Sequence, residues 1–324
     1  MRVMTVIIPT LVRGKSLERC LSSLAEQTFS DFDILIVCNG RKLDERDLNL
    51  DPGLEHRTRL IVSESNRGYG AACNMGAHAT DASYLLFLND DTFLRDDCLE
   101  EIYKSLCSSE NTLFQPMIRH EYARQTRAGN PCDIFGAAGL GFYGNCGTGE
   151  FYASGACLAI SKTTYDYLGG FDEKLFLYYD DVDLSWRARL VGFSVSTTTD
   201  TICFHSGGKS STAVPHEIKF YLTQRNRIRV FIKNYSMQRI FTRLLVVVCL
   251  VLGGAFFFAI RNRRVRYFEC CLRAFRWNLK MLHDTLVERS WVQGRRVRDD
   301  LLIEKSMSQQ SIDICVLKRG IADV

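Results

Sequence analysis

Three polar sites in this sequence have side chains that could act on a phosphate or a hydroxyl group. The first is Asn89-Asp90-Asp91, directly after the apolar run 84–88. The second is Asp180-Asp181-Val182-Asp183, and the third is His205. Each has an ordinary explanation by itself, because Asn and Asp favour turns and helix N-termini and a lone histidine is commonly a surface or core residue.

Together the three sites fit one kind of reaction. Carboxylate oxygens at a strand end can hold a hard divalent cation that also binds a substrate diphosphate. A histidine in the same shell shifts the preference from Mg²⁺ towards Mn²⁺. The cation would neutralise charge on a departing diphosphate, while a separate carboxylate takes a proton from an attacking hydroxyl. This set of groups favours transfer of a sugar from a nucleotide.

Short apolar runs separated by helical patterns would position these sites. The runs are rich in Val, Ile and Leu, as are strands buried on both faces, and they cover residues 3–9, 32–37, 59–62 and 84–88. The helical patterns cover residues 17–24, 69–79 and 96–106, with Ser16 as the predicted first N-cap. This alternation predicts an open, mainly parallel sheet with ligands at the carboxyl ends of its strands.

The composition predicts a large folded protein. With 324 residues, of which 46% are hydrophobic and 24% charged, a disordered or fibrous chain is excluded. We predict a catalytic domain at 1–215, divided into a nucleotide-binding half at 1–111 and an acceptor half at 112–215, and an extension at 216–324. The thirteen cysteines lack paired ligand spacing, so we expect reduced thiols in a cytosolic setting.

The extension is basic and contains one long apolar run. Residues 225–300 hold 17 Lys/Arg and 5 Asp/Glu, a charge of +12, so the rest of the chain carries −8 of the net +4. Residues 216–235 are typical of a basic amphipathic helix, and 244–260 form 17 residues without a charge. Such a helix covers about 25 Å, short of the roughly 30 Å hydrocarbon core. We expect attachment to anionic lipid by a short or re-entrant helix, with a buried core helix as the alternative.

The order of the motifs resembles the family 2 glycosyltransferases of the GT-A fold, most closely the bacterial rhamnosyltransferase-like branch that builds cell-surface glycans. The resemblance covers residues 3–235. It rests on VIIPT, SLERCLSSLAEQT, NRGYGAACNMGA, LLFLNDDT, SGACLAI, GGFDEKLFLYYDDVDLSWR and FHSGG. It implies a Rossmann-like α/β domain with a mainly parallel central sheet flanked by helices, followed by a helical, membrane-associated extension.

The resemblance also implies roles for matching residues. Asp91 and His205 would hold Mg²⁺ or Mn²⁺, with a weaker or water-mediated contact from Asn89. Asp181 would be the general base, and Asp180 and Asp183 would support it or contact acceptor hydroxyls. The residues bordering the sugar would be Ser154, Gly155 and Ala156. Those lining the nucleotide would be Pro9, Thr10, Asn39, Asn66, Arg67, Gly70 and Asp90.

The implied activity is an inverting, metal-dependent sugar transfer at the cytoplasmic face of the cell membrane. Rhamnose is the first expectation, from a dTDP- or UDP-linked donor to a lipid-linked or growing surface glycan. Galactofuranose, glucose, N-acetylglucosamine or mannose are alternatives, as is a non-catalytic partner subunit. Cys38 stands where the family commonly has the Asp that reads the pyrimidine, so base recognition stays open. We expect no nucleic acid partner, and a homo-oligomer stays open.

Overall fold

The computed structural model describes residues 2–11, 14–40, 50–120, 126–127, 130–138, 150–206, 214–315 and 318. The chain divides into two compact units. Unit 1 comprises Met1–Gly129, Ala153–Leu184 and Phe193–Ala213. Unit 2 comprises Asn130–Tyr152, Ser185–Gly192 and Val214–Val324. All of the predicted nucleotide, sugar, metal and base residues therefore belong to unit 1.

Unit 1 is built on one mixed sheet. Its strands are β1 (Met4–Thr10), β2 (Phe32–Asn39), β3 (Thr58–Ser63), β4 (Tyr84–Leu88), β5 (Thr92–Leu94), β6 (Thr112–His120), β7 (Thr126–Arg127), β8 (Cys157–Ser161) and β9 (Ser194–His205). The described strands lie in the order β3-β2-β1-β4-β8-β6-β9-β5, with β7 on β6. The first four strands are parallel, as predicted, and β6 is parallel to β9. Antiparallel pairs join β8 to β4 and β6, β5 to β9, and β7 to β6.

Helices flank this sheet and continue into unit 2. They are α1 (Lys15–Ala25), α2 (Pro52–Glu55), α3 (Tyr69–His78), α4 (Cys98–Ser108), α5 (Lys162–Tyr167), α6 (Asp180–Leu190), α7 (His216–Asn234), α8 (Met237–Arg261), α9 (Arg266–Lys280), α10 (Leu282–Gly294) and α11 (Asp300–Glu304). The predicted cap at Ser16 is wrong, because α1 already begins at Lys15 behind Gly14. Helix α4 begins two residues later than predicted, behind Asp97.

The core of unit 1 explains why the early strands are so apolar. Val6, Ile34 and Leu86 on adjacent strands are completely buried, and the predicted inner face of α1, including Leu21, packs in the same cluster. Because these strands are covered by helices, polar side chains appear where the strands end. The sheet therefore presents its polar groups at the carboxyl edge, where the candidate site is found.

Unit 2 contains segments that the sequence assigns to the catalytic domain. Asp133 is completely buried and accepts hydrogen bonds from the backbone N–H groups of Ala137 (2.8 Å) and Ile312 (2.8 Å). The Tyr235 hydroxyl donates to the Ile134 carbonyl at 2.9 Å. These bonds join residues 130–138 to the C-terminal helices, so the compact units differ from the predicted boundary at 215.

Two expectations about the extension change. Eleven of the described cysteines are free thiols, but Cys315 is disulfide-bonded, where the sequence predicts a reduced thiol. The apolar run 244–260 is part of the 25-residue helix α8, which at 1.5 Å per residue is about 37 Å long. Among the described helices it alone has the length and composition of a membrane span, which is weak evidence by itself. Only 17% of its apolar window is buried, which disfavours the alternative of a core helix.

Candidate active site

Strand pairing brings the first and third polar sites together. Asp91 follows β4, and Thr92 at the start of β5 lies opposite His205 at the end of β9. The Ser206 N–H donates to the Asp91 carbonyl at 3.0 Å. Nε2 of His205 is 3.2 Å from Oδ1 of Asp91, and the Asp91 side chain is only 5% exposed. A buried carboxylate and an imidazole therefore face each other at the carboxyl edge of the sheet.

This pair has the geometry of two ligands of one cation. Two donor atoms that each lie about 2.1 Å from an ion, at right angles, are about 3 Å apart, which agrees with the 3.2 Å between Asp91 and His205. Within the described part of the chain, no three His, Cys, Asp or Glu side chains form a complete cluster. Mg²⁺ is ordinarily held by one or two carboxylates together with substrate phosphates and water. The residues present therefore fit a cation that also binds the substrate.

Asp90 is fixed by the neighbouring strand. Thr10 ends β1, which is the parallel neighbour of β4, and its hydroxyl donates to Oδ2 of Asp90 at 2.6 Å. Burial, followed by the charge of Asp91, raises the pKa of Asp90 to about 6, although the Thr10 hydrogen bond opposes the shift. Pro9 precedes Thr10 on β1. The structure thus joins two predicted nucleotide residues, Thr10 and Asp90, directly.

A second group of predicted nucleotide residues lies at the end of β2. The Asn39 side chain donates to Oδ1 of Asn66 (3.1 Å) and to the Gly68 carbonyl (3.0 Å), and it accepts from the Arg67 N–H (2.9 Å). Asn39 is only 4% exposed, whereas Asn66 and Arg67 are exposed. Asn39 therefore holds the loop 66–68, and the exposed members of the group are Asn66 and Arg67. Cys38, at the preceding position, is buried.

The predicted base lies in the first turn of α6. Oδ2 of Asp181 accepts the Gly155 N–H and Oδ1 accepts the Val182 N–H, both at 2.9 Å. Burial raises the pKa of Asp181, and these backbone hydrogen bonds oppose the shift. Burial, with the adjacent Asp181 charge, raises the pKa of Asp180 well above its usual range. Environments that separate the pKa values of two neighbouring acids distinguish their roles, and Asp181 is the more readily ionised of this pair.

The other predicted acidic residue is inside the protein. Asp183 has no exposed surface, and its N–H donates to the Tyr179 carbonyl at 2.9 Å. The predicted role of Asp183, support of the base or contact with an acceptor hydroxyl, stays a prediction.

The segment 154–156 connects the predicted base to the predicted metal motif. The Asn89 N–H donates to the Ala156 carbonyl at 3.1 Å, while the adjacent Gly155 donates to Asp181. The Ser154 N–H donates to Oε1 of Gln115 at 2.7 Å. The three residues predicted to border the sugar therefore lie between the two acidic motifs. Gly207 and Gly208 of the FHSGG motif lie outside the described residues.

Tyr69 is a site residue that sequence reasoning missed. Its hydroxyl donates to the Gly155 carbonyl at 2.6 Å, and Gly155 in turn donates to Asp181. Its backbone N–H donates to the Phe176 carbonyl at 2.7 Å. Tyr69 thus connects the Gly-rich loop with both segments around the base. The glycines of the NRGYG motif indicate that another part of the chain packs closely against this backbone, but they do not identify that part.

The loop before α6 has unusual backbone geometry. Phe176, Tyr178 and Tyr179 have φ values of 67°, 70° and 70°. Aromatic residues rarely adopt positive φ, and such strain is concentrated at functional sites. Gly68 (φ 91°) and Gly70 allow the Gly-rich loop to pack here, because a Cβ at Gly70 would lie 2.8 Å from Oδ1 of Asp180. Residues 66–70 and residues 176–181 therefore pack closely against each other.

A comparison with protein families agrees with this architecture. Residues 5–169, about half of the chain, match the model described as Glycosyl transferase family 2. The chain belongs to glycosyltransferase family 2. The family assignment suggested by the motifs is confirmed.

Its similarity to curated relatives is distant. The chain is 25% identical over 236 residues to the O-antigen biosynthesis protein RfbC of Myxococcus xanthus, covering 68% of this chain and 18% of RfbC. It is 25% identical over 184 residues to the low-salt glycan biosynthesis hexosyltransferase Agl10 of Haloferax volcanii, covering 52% of this chain and 58% of Agl10. The chain therefore spans less than two thirds of the length of either relative.

Solved structures confirm the predicted fold class. The structure of GalNAc-T7 with UDP, GalNAc and Mn²⁺ superposes with a TM-score of 0.56 at 15% identity, over 71% of this chain and 48% of that one. The mannosyltransferase PcManGT of Pyrobaculum calidifontis, in complex with GDP-Man and Mn²⁺, gives a TM-score of 0.54 at 13% identity, over 99% of this chain and 88% of that one. At these identities the likeness shows the fold, which is that of GT-A glycosyltransferases.

Proposed function

We propose that this glycosyltransferase moves a sugar from a nucleoside diphosphate donor to a hydroxyl acceptor, with inversion and with a bound divalent cation. The observation that carries the proposal is the environment of Asp181, a half-buried carboxylate held by the N–H groups of Gly155 and Val182. It is connected through segment 154–156 to the motif that carries Asp91. A base and a candidate cation site are therefore adjacent in unit 1.

In the proposed mechanism, Asp91 and His205 would hold Mg²⁺ or Mn²⁺, and such a cation would neutralise charge on the diphosphate leaving group. Asp181 takes the proton from the acceptor hydroxyl as its oxygen forms the new glycosidic bond and the bond to the donor phosphate breaks. Burial raises the pKa of Asp180 more strongly than that of Asp181, so Asp181 is the member of the pair that we assign as the base. The displacement is direct, and no covalent bond to the enzyme forms.

For the substrates, we propose rhamnose carried by dTDP or UDP and a lipid-linked or growing cell-surface glycan as acceptor. The names of RfbC and Agl10, which refer to O-antigen and glycan biosynthesis, support an acceptor of this class. The buried Cys38 leaves the nucleotide open, and the other sugars named above are alternatives on the same site. The basic, apolar extension supports attachment at the cytoplasmic face of a membrane.

Thermal unfolding with nucleotides tests donor binding. A ligand that binds only the folded state raises the midpoint of unfolding, so UDP, dTDP, GDP and CDP are each tested with Mn²⁺, Mg²⁺ or EDTA. We expect stabilisation by one nucleotide that requires the metal and is lost in Asp91→Ala. If none of the four stabilises the protein, the donor site is not functional, and a non-catalytic partner subunit becomes the better interpretation.

Asp181→Asn tests the chemistry separately. The amide has the size of the carboxylate but is not a base, so we expect nucleotide stabilisation to persist while transfer falls by a factor of about 10² or more. A transfer rate near that of the wild type would remove Asp181 from its proposed role.

A further inference from the structure

Helix α8 has two different apolar faces. Val247, Val251 and Ala255, spaced four residues apart, are buried against other parts of unit 2. A second stripe is exposed, and its large members are Phe241 (79% exposed), Leu245 (73%), Leu252 (39%), Phe256 (58%) and Ile260 (62%). Cys249 is also exposed and continues this stripe. Spacings of three and four residues place side chains on one helix face. One side of α8 thus belongs to the core of unit 2, and another is an uncovered apolar surface.

Both ends of α8 are held by the rest of unit 2. At the N-terminal end, Arg243 pairs with Glu304 of α11 at 2.7 Å, and Glu304 is only 9% exposed. At the C-terminal end, Arg264 pairs with Glu217 of α7 at 2.6 Å, and the Phe258 ring packs on Tyr267 of α9 at 5.6 Å. A helix that crossed a bilayer would carry one of its ends through the hydrocarbon, away from these partners. The contacts at the two ends therefore favour a helix that stays along one side of unit 2.

The surroundings of the stripe are positively charged. Residues 237–294 contain ten Lys/Arg and three Asp/Glu, a net charge of +7. Arg261, Arg263 and Arg266 are exposed immediately after the stripe ends, and Arg273 and Arg276 are exposed on α9. Lys and Arg beside exposed Phe and Leu are typical of helices that lie in the interface of anionic membranes. The charge complements a phosphate-bearing lipid surface.

We propose that α8 lies in the plane of an anionic membrane, with its Phe241-to-Ile260 stripe inserted into one leaflet and its Val247, Val251 and Ala255 stripe still packed in unit 2. The helix does not cross the bilayer. This inference deepens the membrane attachment in the proposed function and rests on that part of it alone.

Cys249 provides a depth probe at the centre of the helix. It lies twelve residues from Met237 and twelve from Arg261, the ends of α8. In a spanning helix its position would be at the bilayer midplane, about 15 Å from the edge of the hydrocarbon core. In an interfacial helix it would lie about 5–10 Å into the headgroup and acyl boundary. Bimane is attached to Cys249 in Cys107→Ser, because Cys107 is the other exposed free thiol among the described residues.

The labelled protein is mixed with vesicles of phosphatidylcholine and phosphatidylglycerol that carry a nitroxide either near the headgroup or deep in the acyl chain. We expect stronger quenching by the shallow nitroxide. Stronger quenching by the deep nitroxide would overturn the proposal in favour of a span. Absence of quenching by either would show that lipid does not cover this face. In the unlabelled protein, the same vesicles should abolish maleimide labelling of Cys249 and leave that of Cys107 unchanged.

Matched variants test the stripe itself. Leu245→Ser and Phe256→Ser should each weaken binding to phosphatidylglycerol vesicles about tenfold, the scale for removing one large, largely exposed apolar side chain. Val62→Ser, at a position 43% exposed on β3 of unit 1, should leave vesicle binding unchanged. Equal losses of vesicle binding in all three variants would overturn the assignment. It would also be overturned if raising the protein concentration without lipid protected Cys249 from maleimide, because a second copy of the chain would then cover the stripe. Nucleotide stabilisation, measured on the same samples, reports separately on the donor site.

Discussion

Gly68→Ala should both destabilise the protein and displace the proposed base. Gly68 has φ 91° and ψ 171°, a region occupied essentially by glycine alone. A Cβ there would lie 2.6 Å from Cα of Phe176 and closer still to the Phe176 carbonyl oxygen. The backbone conformation by itself costs roughly 1–3 kcal/mol. Relief of the contact also requires a shift of about 1 Å in one of the two loops, and a misplacement of about 1 Å can reduce a rate about 10²-fold.

Two other glycines separate these contributions. Gly192 has φ 92° but no atom within 4 Å of a Cβ, so Gly192→Ala reports the conformational cost without a clash. Gly14 has an extended φ and open space but is the N-cap of α1, so Gly14→Ala reports only the cost of alanine at a helix N-cap, without positive φ or a clash. Urea unfolding gives the free energies, and sugar transfer is measured on the folded fraction. The reasoning is refuted if Gly68→Ala is no less stable than Gly192→Ala and transfers sugar at the wild-type rate.

Two further predictions follow from individual contacts. Tyr69→Phe removes the hydroxyl that fixes the Gly155 peptide, so kcat should fall with little change in the KM for the donor. Burial already raises the pKa of Asp181, so the transfer rate should fall as the solution becomes acidic. The Gly155 N–H lowers the pKa of Asp181, so loosening it in Tyr69→Phe should raise that pKa and make the transfer rate begin to fall at a higher pH. An unchanged pH profile would contradict the role of Tyr69 in positioning Gly155. Glu304→Gln leaves the charges of Arg239 and Arg243 uncompensated, and we expect a loss of about 3 kcal/mol in the free energy of unfolding, measured with urea. A change below 0.5 kcal/mol would show that the two arginines do not depend on this carboxylate.

The sequence predicts unit 1 best where the apolar pattern is continuous. Strands β1 to β4 agree with the predicted runs to within two residues, because runs rich in Val, Ile and Leu are typical of strands, including β3, which is only partly buried. Strand β6 is less evident, since it includes Gln115 and Pro116 and its register with β9 shifts after Pro116. The chain segments that make up unit 2 are held together by hydrogen bonds such as that from the Ile312 N–H to Asp133, which joins residues 179 positions apart. A local pattern contains no information about such pairs.

The candidate site was predictable at the level of residue types. The motifs indicated Asp91, His205 and Asp181, and β-strand register then brings Asp91 and His205 within 3.2 Å of each other. The support of the site was not predictable. The positive φ values of Tyr178 and Tyr179 could not be predicted from the sequence, because tyrosine ordinarily adopts negative φ. This backbone geometry is determined by the packing of residues 66–70 against residues 176–181 rather than by the local conformational preference of each residue.

Helix α6 has a consequence for attempts to exchange parts between relatives. Its residues Asp180–Leu184 belong to unit 1 and Ser185–Leu190 to unit 2. The family match ends at residue 169, before this helix begins. A chimera made by swapping the matched segment would exchange the loop 66–68 and keep the original Asp181. A fragment cut after Leu184 would retain only five residues of α6, and isolated helices of that length are unstable in water. The proposed base is therefore not portable with the segment by which the family is recognised.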